Sequence, residues 1–168
     1  MTKYLPFIFF FFITLSIFFI LCRLNSNSKL RIIYVLLFIY LICVWWILFT
    51  PGSYGGATPY KMYYFYFHTA KIVYTPAGLL YPGAFLNIIL TTPFGIFLYF
   101  IFKKQLNIVD VILIAMFVGI FNEGTQLALD ILVNLNRTVD ITDVITNTSG
   151  VIVGYIIAFF SISKRKYI

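Results

Sequence analysis

Five stretches of this chain are long enough to cross a lipid bilayer as helices, and that requirement decides what it can fold into. A helix rises about 1.5 Å per residue, so crossing about 30 Å of hydrocarbon takes about 20 predominantly apolar residues. Residues 5–21, 32–50 and 84–102 meet this almost without charge. Residues 108–129 and 141–162 are equally long but carry Asp110, Asn122, Glu123, Gln126, Asp143 and Asn147. Composition agrees: with 62% hydrophobic and 10% charged residues and a mean hydropathy of +0.99, the chain has too little polar surface to cover a water-soluble globule of 168 residues. The expected fold is an all-α polytopic transmembrane helical bundle of about five spans.

A signal peptide is the alternative for the first run. It is long for one and no small-residue cleavage site follows, so it reads as an uncleaved helix. The net charge of +7 is spread in short clusters between apolar runs rather than along one stripe, which argues for topology signals and against nucleic acid. Arg23, Lys29, Arg31, Lys103, Lys104, Lys164, Arg165 and Lys166 fall on one side of a five-span model, and Lys3, Lys61, Lys71 and Arg137 on the other. The positive-inside rule then predicts a multi-pass protein of the bacterial cell membrane with its N-terminus outside and its C-terminus cytoplasmic. Three segments follow: an N-terminal transmembrane hairpin with an aromatic outer loop (1–83), a transmembrane core (84–162) and a basic cytoplasmic tail (163–168).

The loop ahead of the third run is dense in Tyr60, Tyr63, Tyr64, Phe65, Tyr66, Phe67 and Tyr74. Amphipathic rings favour the headgroup layer, so residues 59–74, bounded by Pro59 and Pro76, are expected to form a short interfacial helix. His68, the single histidine, reads as an interfacial polar residue. Cys22 and Cys43 have neither metal-ligand nor disulfide spacing. Asp110 is expected to form an interfacial ion pair with Lys103 or Lys104.

Polar residues within the last two runs are not scattered. At 100° per residue, Gly119, Glu123, Gln126 and Asp130 lie within roughly 60° of one another, and Asp140, Asp143, Asn147, Gly150 and Gly154 within roughly 80°. Ionisable groups inside a bilayer cost about 2.5–3.5 kcal/mol each at its centre, so both stripes are expected to face the bundle interior. With Asn87, near the start of the third run, and Arg137 they predict a polar pocket on the outer side. Pro93 is expected to interrupt the third helix and release carbonyls toward the bundle. The small residues Gly119, Gly150 and Gly154 are read as helix-packing positions. The bland alternative is a set of hydrogen bonds and an Arg137 ion pair with Asp140 or Glu123 that staple two helices together. A divalent metal, if bound, would fall to Asp140 and Asp143. No cofactor is expected.

Asn87 followed after five residues by Pro93-Phe94-Gly95 resembles the N-x5-P-F-G element of VanZ-like proteins. The series Glu123, Gln126, Arg137, Asp140, Asp143, Asn147, Gly150, Gly154 is similar to that family's E-x-x-Q … R … D-x-x-D-x-x-x-N-x-x-G-x-x-x-G pattern. The resemblance covers residues 85–160; a further R-x-x-N-L-x-P-F element of the family has no clear counterpart in residues 60–83. It implies a cell-envelope factor that lowers susceptibility to the glycopeptide teicoplanin at the outer leaflet, with the bilayer and a cell-wall precursor lipid or glycopeptide as partners. Two other readings stand beside it. One is an intramembrane enzyme on a lipid-linked phosphate substrate, although no nucleophile motif, histidine cluster or phosphate loop supports it. The other is a small transporter subunit with Glu123 and Asp143 as proton carriers.

Overall fold

In the computed structural model, which describes residues 2–50, 62–102 and 105–164, five helices are long and apolar enough to cross a membrane. They are α1 (Leu5–Leu24), α2 (Ser28–Phe49), α3 (Pro82–Phe102), α4 (Ile108–Val133) and α5 (Ile141–Lys164). A three-residue 3-10 turn, Thr2–Tyr4, leads into α1. The bundle is thus all-α in its spans, with bounds within a few residues of those the apolar runs predict. Helix starts follow local chemistry. Asn27 caps α2 by accepting from Lys29 N at 3.0 Å. Asn107 and Asp110 form a reciprocal capping box on α4, Asn107 Oδ1 accepting from Asp110 N and Asp110 Oδ2 from Asn107 N, both at 3.0 Å. Asp110 therefore serves its own helix start; Lys103 and Lys104, the expected partners of its ion pair, lie outside the described residues.

The aromatic segment corrects the sequence reading more sharply. It is no interfacial helix where it is described. Tyr64–Phe67 is a strand, β1, paired antiparallel with β2 (Ala70–Val73), and β2 pairs in parallel with β3 (Thr138–Asp140). Residues 59–61 of the expected helix lie outside the described residues. Alternating Tyr and Phe followed by Ile72-Val73 are strong strand formers, and only His68 and Thr69 separate the two runs, a hairpin spacing. His68 takes the left-handed backbone that so tight a turn requires, with φ of 53°.

Two apolar clusters hold the bundle. Leu98 and Tyr99 of α3, Val111 and Ala115 of α4, and Val151, Tyr155 and Ala158 of α5 form one. Val44, Leu48 and Phe49 of α2 form the other, with Phe10 and Trp45 packed against them. Trp45 Nε1 also donates to Thr14 Oγ1 at 2.8 Å, tying α2 to α1. Helices α3 and α5 make the most extensive pairing of the bundle. Pro93 sits inside α3 without ending it; the helix runs on for nine residues.

Three glycines permit that pairing. A Cβ on Gly150 would strike Thr91 Oγ1 and Ile88 O, one on Gly154 would strike Thr92 O, and one on Gly95 would strike Val151 O. Gly119 likewise lets α4 approach Val144 O of α5. These contacts fix the register: α3 and α5 run parallel, with α4 antiparallel between them in sequence.

Candidate functional site

The register places the starts of α3 and α5 beside Glu123, ten residues before the end of α4. About 15 Å of α4 therefore continues past them. After α4 closes at Asn134, which is left-handed with φ of 51°, the chain folds back along that last stretch. Leu135, 1% exposed, anchors the return. Arg137 N then donates to Asp130 Oδ1 at 3.1 Å, and β3 descends until Asp140 N meets Glu123 Oε2 at 3.0 Å. Strand β2 descends in parallel, from Thr69, whose hydroxyl donates to Asp130 O at 3.0 Å, to Val73 opposite Asp140.

Asp140 is accordingly the last residue of a strand and not a member of the α5 stripe, as the sequence had suggested. Its Oδ1 accepts from Thr142 N at 2.7 Å and so caps α5. Asp143 follows in the first turn, where the partial positive charge of the helix start favours an acid. Asn87, in the second turn of α3, lies beside the Asp143 side chain. Glu123 is close enough to feel the charges of Asp143, Asp140 and Arg137.

Six of the seven predicted pocket residues thus gather where α3, α4, β3 and α5 meet: Asn87, Glu123, Arg137, Asp140 and Asp143, with Asn147 a turn beyond Asp143. Gln126 is buried in α4 nearly one turn from Glu123, toward Asp130. Arg137 turns its guanidinium to α2, Nη2 donating to Ile47 O at 2.5 Å and to Thr50 O at 2.8 Å. It closes the C-terminal end of that helix, where carbonyls lack partners and a cation is favoured.

The burial of this cluster is the property that needs explanation. Glu123 and Asn147 are 4% and 2% exposed. Asn147 Oδ1 and Thr142 Oγ1 are buried with no hydrogen-bond partner. Buried polar atoms are nearly always paired, so an orphan acceptor beside three carboxylates marks a place of unmet demand. Sequence reasoning set aside Asp130, although it lay on the α4 stripe. The signal was its position: an acid at a helix C-terminus opposes the helix dipole and requires donors of its own, here Arg137 N. Asn122, Thr142 and Thr146, all buried, also escaped selection.

Among the described residues no group of three or more His, Cys, Asp or Glu is arranged to hold a metal ion. Two open grooves lie elsewhere. One of about 510 Å³ runs between α1 and α4, lined by Phe9, Phe10, Gly124, Ala128 and Leu132 among others. The second, of about 320 Å³, runs between Leu106, Ile108 and the far half of α5. Neither is lined by any of the seven predicted pocket residues.

A family profile described as VanZ/LLP1 matches residues 37–162 of the 168. The match begins within α2 and takes in the sheet, well upstream of the 85–160 that the motifs alone suggest. Neither the curated proteins nor the solved structures include a match to the chain. The profile covers the helices and strands that build the acidic cluster as one continuous unit, and on that ground the chain belongs to the VanZ/LLP1 family.

Proposed function

We propose that this protein is a bacterial cell-envelope factor that lowers susceptibility to glycopeptide antibiotics, teicoplanin in particular, by acting from the outer leaflet. Family membership supports the reading, and the convergence of Glu123, Asp140 and Asp143 at the sheet end carries it. Structural ion pairs tend to balance, whereas this site sets three carboxylates against Arg137, with Glu123 buried and Asp140 and Asp143 half-buried. Such an arrangement costs stability and is retained where it does something else. The basic residues support an orientation with the sheet end outside: the α1–α2 connection and the segment after α5 carry the larger share. On this reading the exposed β1 ring surface lies at the outer headgroup layer, beside the cluster, within reach of a cell-wall precursor lipid or of the glycopeptide.

The test is antibiotic susceptibility of a sensitive host expressing the chain. Wild type is compared with Asp140→Asn at matched membrane levels, in teicoplanin and in vancomycin. A selective rise in teicoplanin tolerance that the substitution removes is expected. No rise with the wild-type protein would refute the resistance reading.

A further inference from the structure

We infer that the acidic cluster holds a small monovalent cation, alkali metal or primary ammonium, between Glu123, Asp143 and Asn147. This goes beyond the resistance reading and does not depend on it. The observation that separates the site from a simple group of acids is Asn147 Oδ1, buried in a side chain 2% exposed and without a hydrogen-bond partner.

Its direction follows from its neighbours on α5. Gly150 abuts Ile88 and Thr91 of α3, while Val144 and Thr148, on the other flank of the helix, abut Gly119 of α4. Asn147 lies between those flanks and so points into the seam of α3 and α4, on the face that Asp143 occupies one turn earlier. Glu123 enters the same seam from α4, and Asn87 from α3 meets Asp143 there.

The charges around the seam come from few sources. Alpha-4 supplies Glu123, β3 and the start of α5 supply Asp140 and Asp143, and Arg137 supplies the positive charge from its place against Ile47 O and Thr50 O. Lys71 of β2 stands over the Tyr64 ring, 4.3 Å from its centre. Part of the demand is already met: Glu123 Oε2 by Asp140 N and Asp140 Oδ1 by Thr142 N. The oxygens not used in these bonds include the second oxygen of Glu123 and Asn147 Oδ1, and of these groups Asn147 Oδ1 and the Thr142 hydroxyl are the buried ones left without a partner. A buried water would answer the hydrogen-bonding demand but bring no positive charge to the carboxylates. A small cation answers both. Two carboxylates and one amide oxygen suit a singly charged ion with hard oxygen preference better than a divalent one, which takes six or more oxygens.

The experiment is thermal unfolding of the purified full chain in dodecyl maltoside, followed by fluorescence of Trp45 and Trp46. Sodium, potassium and ethanolammonium chlorides are compared with N-methyl-D-glucamine chloride at fixed ionic strength and pH. Ligand that binds only the folded state multiplies the folded-to-unfolded ratio about tenfold for each tenfold rise in concentration above its Kd. The expected result is a midpoint that climbs with at least one small cation and not with the bulky one. The alkali and ammonium arms tell an ion from a lipid-headgroup amine. The climb should vanish in the isosteric variants Glu123→Gln and Asp143→Asn and persist in Asp110→Asn, at the opposite end of α4. Identical midpoints in all four salts would overturn the site, as would a climb that both isosteric variants retain. Because the readout is stability, a negative result here leaves the antibiotic test unaffected, and the reverse also holds.

Discussion

Replacing Gly154 by alanine tests whether the site is positioned by the close contact of α3 and α5. A Cβ at this position meets Thr92 O in hard overlap, Thr92 C at 2.8 Å and Gly95 Cα at 3.2 Å. All three are main-chain atoms, so no side-chain rotation relieves them and the helices must part. Overpacking of this kind costs about 1–3 kcal/mol, and a rigid obstacle puts the cost in the upper part of that range. Against it stands the helix propensity of alanine over glycine, worth about 1 kcal/mol. The clash wins, leaving a net loss of about 1–2 kcal/mol. For a chain of this length each kcal/mol moves the thermal midpoint by about 2–4 °C, so a fall of roughly 2–8 °C is expected. Gly124→Ala is the control: nothing lies within 4 Å of its Cβ position, in the same kind of apolar helix. There the propensity gain acts alone and the midpoint should hold or rise. The assay is fluorescence-detected unfolding of both variants and wild type in one detergent. If Gly154→Ala proves as stable as Gly124→Ala, the helices are not in the contact described and the register of the site falls with it.

Substitutions at two further positions probe the ends of α4. Asn107→Ala removes the capping box and should cost about 1 kcal/mol, read as a lower midpoint in the same assay, while Asn107→Asp should keep most of the stability. Asp130→Ala removes the acceptor of the half-buried Arg137 N–H and should cost about 1–3 kcal/mol; Asp130→Asn retains an acceptor and should cost clearly less. Equal losses in the Asp130 pair would mean that the hydrogen bond does not anchor the chain's return.

What the sequence made legible were properties that repeat along a helix. Apolar runs located all five spans because lipid imposes one length and one polarity on each. Glycines at helical spacing marked Gly119, Gly150 and Gly154 as packing positions, but not that the partner of Gly150 and Gly154 is α3. The parts missed depend on pairing at a distance. Strand β3 is three residues long and has no pattern of its own; it exists because Lys71, Ile72 and Val73 stand opposite. Asp140 fell on the α5 stripe by arithmetic although the helix starts one residue later, so its capping role was hidden. The aromatic run was assigned by where its rings prefer to be, which is the headgroup layer in a helix or a strand alike. Its backbone was better indicated by the density of strand formers and the two-residue gap at His68 and Thr69.

The parallel pairing of β2 with β3 also sets an order of assembly. Beta-2 emerges before α3, and its partner is made only after α3 and α4 are complete, with 64 residues between Val73 at the end of β2 and Thr138 at the start of β3. During synthesis, hairpin β1–β2 therefore waits with one edge open while two more helices enter the membrane. The segment that closes this edge is the same one that delivers Asp140 to Glu123 and opens α5. Glu123 consequently stays apart from Asp140 and Asp143 until the final helix docks beside α3. Until then each is a separate, hydratable charge, and the energetic burden of gathering them falls on a bundle already in place.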